Sequence, residues 1–154
     1  MYRTRLGHVN LKVRDLDRAI AFYTRFLNLR LTERVGNFAF LSGSDLHHEV
    51  ALQALGPDAP QPPRHSIGLF HVAFEVPDRR SLALAYQALT GAGVQVSPAD
   101  NVISWALYFA DPDGNGLELY WDTRHEPVGE PQWNGRVLPL PEEKLLAALG
   151  GQPE

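Results

Sequence analysis

His8 and His71 each open a short alternating segment, "HVNLKV" and "HVAFEV". Glu118 lies between Leu117 and Leu119 in "NGLELYWD". A carboxylate inside an apolar strand costs several kcal/mol unless it is paired or bound to a metal. Two neutral imidazoles and one carboxylate leave positions open on a divalent ion. They form the donor set of mononuclear non-haem Fe(II) oxygenase sites, and Mn(II) accepts the same donors. The chain has no cysteine, which excludes thiolate metal sites and disulfides. A second histidine feature is "HHEVAL", residues 47–52. An exposed pair at a strand edge accounts for it on local sequence alone. A titratable ring facing a reactive centre accounts for it as well.

The elements that must position these groups repeat. "GHVNLKVRDLDRAIAFYTRFLNLRL" and "FHVAFEVPDRRSLALAYQALTGAGVQV" align His8 with His71, Val13 with Val76, Asp15 with Asp78 and Tyr23 with Tyr86. The offset is 63 residues throughout. A fixed internal offset marks duplicated supersecondary units. In each unit a period-two strand is followed by an aspartate placed as a helix N-cap. Leu16, Ala19, Ile20, Tyr23, Phe26 and Leu27 then form one helical stripe, and Leu82, Ala85, Tyr86 and Leu89 form the other. Gly91 and Gly93 suit the end of the second helix. Short strands are predicted over 29–35, 37–42 and 48–54, and again over 94–97, 105–110 and 116–121. "DPDG" at 111–114 turns the last two together.

Both units therefore read βαβββ. The predicted fold class is α+β: two βαβββ units in tandem, forming a curved mixed sheet around one cavity with the helices outside. His8, Asn10 and Lys12 share a face, as do His71, Ala73 and Glu75. Those faces are more polar than the alternate ones and should line the cavity. The chain is read as a single domain, 1–154. Residues 5–55 form the first unit, 56–66 a Pro-rich connection, 67–122 the second unit and 123–154 a C-terminal tail. The tail holds a short helix at Glu142–Leu149 and is expected against the body or a partner subunit, with Trp133 near the cavity mouth or a second subunit. His65 falls in the connection and reads as a solvated loop residue. Trp105 and Phe109 have opposite parity to Tyr108 and read as core.

At 154 residues and 44% hydrophobic composition the chain can build a core. Its formal net charge is −4 with no basic run, which argues against a nucleic-acid partner. No stretch approaches the roughly 20 apolar residues of a membrane span, and "MYRTRLGHVN" has no apolar signal core. The expectation is a soluble, cytoplasmic protein.

Over residues 5 to about 122 the chain resembles the vicinal oxygen chelate superfamily, which contains glyoxalase I, fosfomycin and bleomycin resistance proteins and extradiol dioxygenases. "GLFHVAFEV" and "ALYFADPDGNGLELYWD" are similar to its catechol 2,3-dioxygenase branch. The resemblance implies metal ligation by His8, His71 and Glu118, in agreement with the residue chemistry. It implies an acid–base role for His48 and a hydrogen bond from Tyr108 to a chelated substrate oxygen. It implies a metal-dependent extradiol dioxygenase of aromatic catabolism, using Fe(II) or Mn(II), a catechol-like aromatic diol and O₂, and assembled as a homodimer. Asn101 stands where related sequences often carry a histidine, and can serve only by hydrogen bonding. Glyoxalases and resistance proteins take a further ligand from the first unit's last strand, where Glu49 and Gln53 have opposite parity to His48. If His48 faces the cavity, a three-ligand oxygenase site follows. If Glu49 does, a glyoxalase-like isomerase or lyase is implied. A bleomycin-resistance-type binding protein without catalysis does not need the three ligands together.

Overall fold

A computed structural model describes residues 2–63 and 65–150. Arg64 of the connection and residues 151–154 of the tail lie outside the described residues. The chain divides into two compact units. The first takes the chain as far as Gly68 together with the turn Asp111–Asn115; the second takes Leu69–Ala110 and everything from Gly116 onward.

In the first unit, β1 (Val9–Val13) leads to α1 (Leu16–Phe26), then β2 (Arg30–Val35), β3 (Phe38–Ser42) and β4 (Val50–Ala54). The sheet order is β1-β4-β3-β2, with β1 and β4 parallel and the other pairs antiparallel. In β1 the alternation delivers Leu11 and Val13 to the core and leaves Asn10 and Lys12 exposed. Asp15 caps α1, its carboxylate accepting from the Arg18 N–H at 2.7 Å. The helix buries Leu16, Ala19, Phe22 and Tyr23. Phe22 thus joins the expected stripe, while Ile20, Phe26 and Leu27 are only half-buried. Tyr23 is fully buried and donates its hydroxyl to Asp111 Oδ2 at 3.0 Å. Burial, then the Asp111 charge, pushes this phenol far above its ordinary value. The same turn is held by Arg18 on Asp113 Oδ1 at 2.6 Å, and Asn115 Nδ2 donates to the Lys12 carbonyl.

The second unit repeats the plan: β5 (Val72–Glu75), α2 (Arg79–Gly91), β6 (Ser97–Asp100), β7 (Ser104–Ala110) and β8 (Gly116–Asp122). Its cap is Asp78, accepting from the Ser81 N–H at 2.6 Å. The helix buries Leu82, Ala83 and Leu89. β6 starts at Ser97 rather than 94, because the helix end closes through Gly93, at φ +79°, and through Val94 N–H donating to the Leu89 carbonyl. The strands order as β5-β8-β7-β6, with a fifth strand beyond β6.

The α+β class and the two βαβββ units stand as expected, with the strands forming two sheets of four and five. The fifth strand, β9 (Leu138–Pro139), comes from the tail and pairs with β6. Beyond it, α3 (Glu142–Leu146) and one 3-10 turn, Ala147–Leu149, pack on α2. The tail therefore lies on the second unit. Lys144 sits 4.7 Å over the Trp105 ring, and Trp105 meets Trp121 edge-on. Phe109 is buried as expected. Trp133 is about half exposed and His65 is exposed. No helix among the described residues is long and apolar enough to cross a membrane.

One close approach sets the start of β5. A Cβ on Gly116 would stand 2.2 Å from the Phe70 carbonyl oxygen. Gly116→Ala must push the chain at Phe70 and His71 away from β8. We expect a loss of about 1–3 kcal/mol, the usual cost of overpacking, read by urea denaturation. Unchanged stability would mean that β5 yields freely at this point.

Candidate active site

In the second unit three expected side chains converge. The β7–β8 hairpin pairs Tyr108 directly with Glu118, and β5 places Ala73 on the other side of Glu118. Cross-strand partners share a face, so Tyr108 and Glu118 point the same way. Leu117 and Leu119 point into the core with Phe109 and Leu107. Glu118 is buried, and its Oε2 stands 2.9 Å from His71 Nε2. Two ligands bound side by side to one ion at about 2.1 Å each stand about 3.0 Å apart, so this donor pair fits a divalent cation. His71 Nδ1 is buried without a hydrogen-bond partner. The ring is instead held between Phe70 and Tyr108, at centroid distances of 5.4 and 5.6 Å.

The Tyr108 hydroxyl accepts from Asn101 Nδ2 at 2.9 Å. Burial raises this phenol; the Asn101 bond pulls it down and the Glu118 charge raises it further. Because Asn101 donates, the Tyr108 hydrogen is left for an anionic acceptor on the Glu118 side.

In the first unit His8 and His48 stand together, ring centroids 4.6 Å apart. Ladder hydrogen bonds extend β4 backwards by one residue: Val9 N–H donates to the Glu49 carbonyl, and Glu49 N–H to the Leu41 carbonyl. A regular strand would put Glu49 on the Ala51–Phe40 face and His48 on the Val50–Leu41 face. His48 precedes β4 and escapes that alternation, and the two neighbouring side chains part. The Glu49 carboxylate is held at the β3–β4 connection, accepting from Gly43 N–H at 2.8 Å and lying 3.4 Å from Ser42 Oγ. His48 instead packs against Phe40 at 4.9 Å, and its Nδ1 is 2.9 Å from His47 Nδ1. Desolvation first, then the neighbouring His8 and His47, lowers the His48 pKa below the ordinary imidazole value. Gln53 pairs with Lys12 and Phe38 further along β4, away from this group.

The structure thus gathers His71, Glu118, Tyr108 and Asn101 in one unit, and His8 with His48 in the other. Among the described residues no group of three or more histidine, aspartate or glutamate side chains forms a metal-binding cluster. One side chain that sequence reasoning missed is Glu33. Its Oε2 lies 3.2 Å from His47 Nε2. In a regular strand Thr32 would have faced Phe40. A bulge after Leu31 gives that place to Glu33, and nothing in "RLTERV" announces it.

Residues 5–119 match the family model described as the glyoxalase/bleomycin resistance protein/dioxygenase superfamily, and the chain belongs to that superfamily. It is 32% identical over 119 residues to a catechol-2,3-dioxygenase of Bacillus subtilis (strain 168), covering 77% of this chain and 42% of that protein. The chain therefore spans less than half the length of that relative. It is 34% identical to the glutathione transferase FosA of Serratia marcescens, covering 75% of this chain and 79% of that one. Among solved structures, a glyoxylase/bleomycin resistance protein/dioxygenase domain from Frankia sp. EAN1pec superposes with a TM-score of 0.67 at 26% identity. That match covers 81% of this chain and 96% of the other.

Proposed function

We propose that the chain is an extradiol-type dioxygenase that cleaves the ring of a catechol-like aromatic diol with O₂. His8, His71 and Glu118 would hold one divalent metal, Fe(II) in the first instance and Mn(II) in the second. The observation that carries the reading is the 2.9 Å approach of His71 Nε2 to a buried Glu118 carboxylate that shares its face with Tyr108. The bound ion would supply open positions for both diol oxygens and for O₂, and the electron transfer that side chains cannot perform.

The remaining work falls to the protein. Tyr108, fixed by Asn101 and hydrogen-bonded to Glu118, would turn its hydroxyl hydrogen to a diol oxygen and orient the ring. His48, whose depressed pKa keeps it neutral near pH 7, takes a proton from the diol and returns one later. The Gly43 amide holds Glu49 Oε2 at the β3–β4 connection, apart from the His48 contact with His8. That supports three ligands rather than the four of an isomerase or lyase. The same reading makes the protein a cytoplasmic homodimer acting in aromatic catabolism.

The test is oxygen uptake by the anaerobically Fe(II)-loaded chain with a panel of catechols. Uptake with appearance of the yellow ring-opened product is expected. The identity to FosA favours one rival, a thiol transfer. Glutathione consumption with an electrophile, without oxygen uptake on any diol, would put that reading first.

A further inference from the structure

The β6–β7 hairpin turns on a residue that its conformation does not suit. Val102 has φ +70°, and across it Ile103 N–H donates to the Asn101 carbonyl at 2.8 Å. A three-residue loop closed in this way at positive φ is a γ-turn of the rare, strained form. A β-branched residue fits that region poorly. Asparagine tolerates it far better. Asn101 stands next door and yet stays out of it. In "DNVIS" the strain falls on the valine, and the asparagine keeps an ordinary backbone.

Strain of this kind persists only where the surroundings over-determine it. Every backbone N–H and carbonyl of residues 101–103 is engaged. Asn101 N–H donates to the Ser104 carbonyl at 2.8 Å, and Thr123 N–H to the Ile103 carbonyl at 2.9 Å. Two side chains hold Val102 itself. Asp100 Oδ1 accepts its N–H at 2.9 Å, and the Thr123 hydroxyl donates to its carbonyl at 3.0 Å. Lys144 of α3 donates to the other Asp100 oxygen at 3.2 Å. What this network places is one amide: Asn101 Nδ2 lies 2.9 Å from the Tyr108 hydroxyl and 3.5 Å from Ser104 Oγ.

We propose that Asp100 and Thr123 are positioning residues that hold Val102 left-handed, and that the turn so held aims the Asn101 amide at Tyr108. With Val102 relaxed to negative φ, the chain leaves Asn101 in another direction and the amide loses its aim. The use of that aim, an oriented diol, rests on the dioxygenase reading; the turn does not.

The test reads the turn directly, by ¹H–¹H NOE spectroscopy on the full ¹³C,¹⁵N-labelled chain in the presence of Zn(II). In the wild type, Val102 should show the short intraresidue HN–Hα distance of positive φ, and the Asn101 side-chain amide should contact the Tyr108 ring. Asp100→Ala and Thr123→Val should each lose both signals. Asp100→Asn, which keeps an acceptor oxygen, should retain them. The double variant Asp100→Ala/Val102→Asn should regain the Asn101 contact, because asparagine takes positive φ without the tether. A merely structural Asp100 predicts no such rescue. With Fe(II) and catechol, Asp100→Ala should lower kcat by up to about 100-fold, the cost of a positioning group displaced by about 1 Å. It should lower kcat no further in a Tyr108→Phe background, since the two changes act through one group. Wild-type Val102 at negative φ, or an Asn101 contact that survives both Asp100→Ala and Thr123→Val, overturns the proposal. The spectra are read with or without turnover. An inactive chain with the expected contacts sinks only the dioxygenase reading, and an active chain whose Asn101 contact ignores both tethers sinks only the positioning role.

Discussion

His71→Ala, Glu118→Ala and His8→Ala should each abolish tight binding of one divalent metal per chain. The first two remove one half of the donor pair that stands 2.9 Å apart. The third removes the residue that occupies the same place as His71 in the repeated unit. Metal content after dialysis measures the loss. A thermal scan measures it independently. A metal present at about 100 times its Kd stabilises a folded chain by about 2.7 kcal/mol. For a chain of this size that corresponds to roughly 5–10 °C in Tm. The wild type should show this rise on addition of Fe(II) or Mn(II) under anaerobic conditions, and the variants should not. If His8→Ala keeps full metal affinity, the centre is a two-residue site in the second unit, and the three-ligand proposal fails on that result alone.

The second large effect is expected at His48. Its ring is beside His8 without belonging to the proposed ligand set, so His48→Gln should hold its metal. It should also bind a catechol, because chelation uses the two substrate oxygens. Turnover should fall roughly 10²–10⁴-fold, the usual contribution of general acid–base catalysis. Equilibrium binding of catechol under anaerobic conditions, set beside kcat, separates this outcome from the ligand variants, which lose metal and activity together. Wild-type turnover in His48→Gln would return the histidine pair to an exposed strand edge.

Much of this arrangement was legible because it is local or repeated. The alternation in "HVNLKV" and "HVAFEV", and the aspartates that cap the following helices, state each βαβ start in a few residues. The pairing of Tyr108 with Glu118 follows from their even spacing across a short turn. What escaped the sequence depends on distant partners. Phe22 enters the core and Phe26 stays half-buried because the sheet, not the helix, decides which face is covered. Strand β9 is two residues long and contains a proline, so it has no period to detect; β6 alone makes it a strand. Asp111 and Asp113 read as turn formers. Their second use, anchoring Tyr23 and Arg18, joins residues nearly a hundred positions apart. The bulge at Thr32 reverses the face of Glu33, and a period-two reading places that residue wrongly by construction.

That anchored turn bears on the order in which the chain can fold. During synthesis the residues up to Gly68 emerge first, with β1 to β4 and α1 complete. Yet the fully buried Tyr23 hydroxyl and the Arg18 guanidinium still await carboxylates some forty residues downstream. A nascent first unit must leave that phenol hydrated or unsatisfied until the 111–115 segment arrives, at a cost of about 1–3 kcal/mol for a buried polar group without a partner. Closure of the first unit is therefore tied to synthesis of much of the second, and the long-range contact puts a slow, late step into what the duplicated sequence presents as two self-sufficient halves.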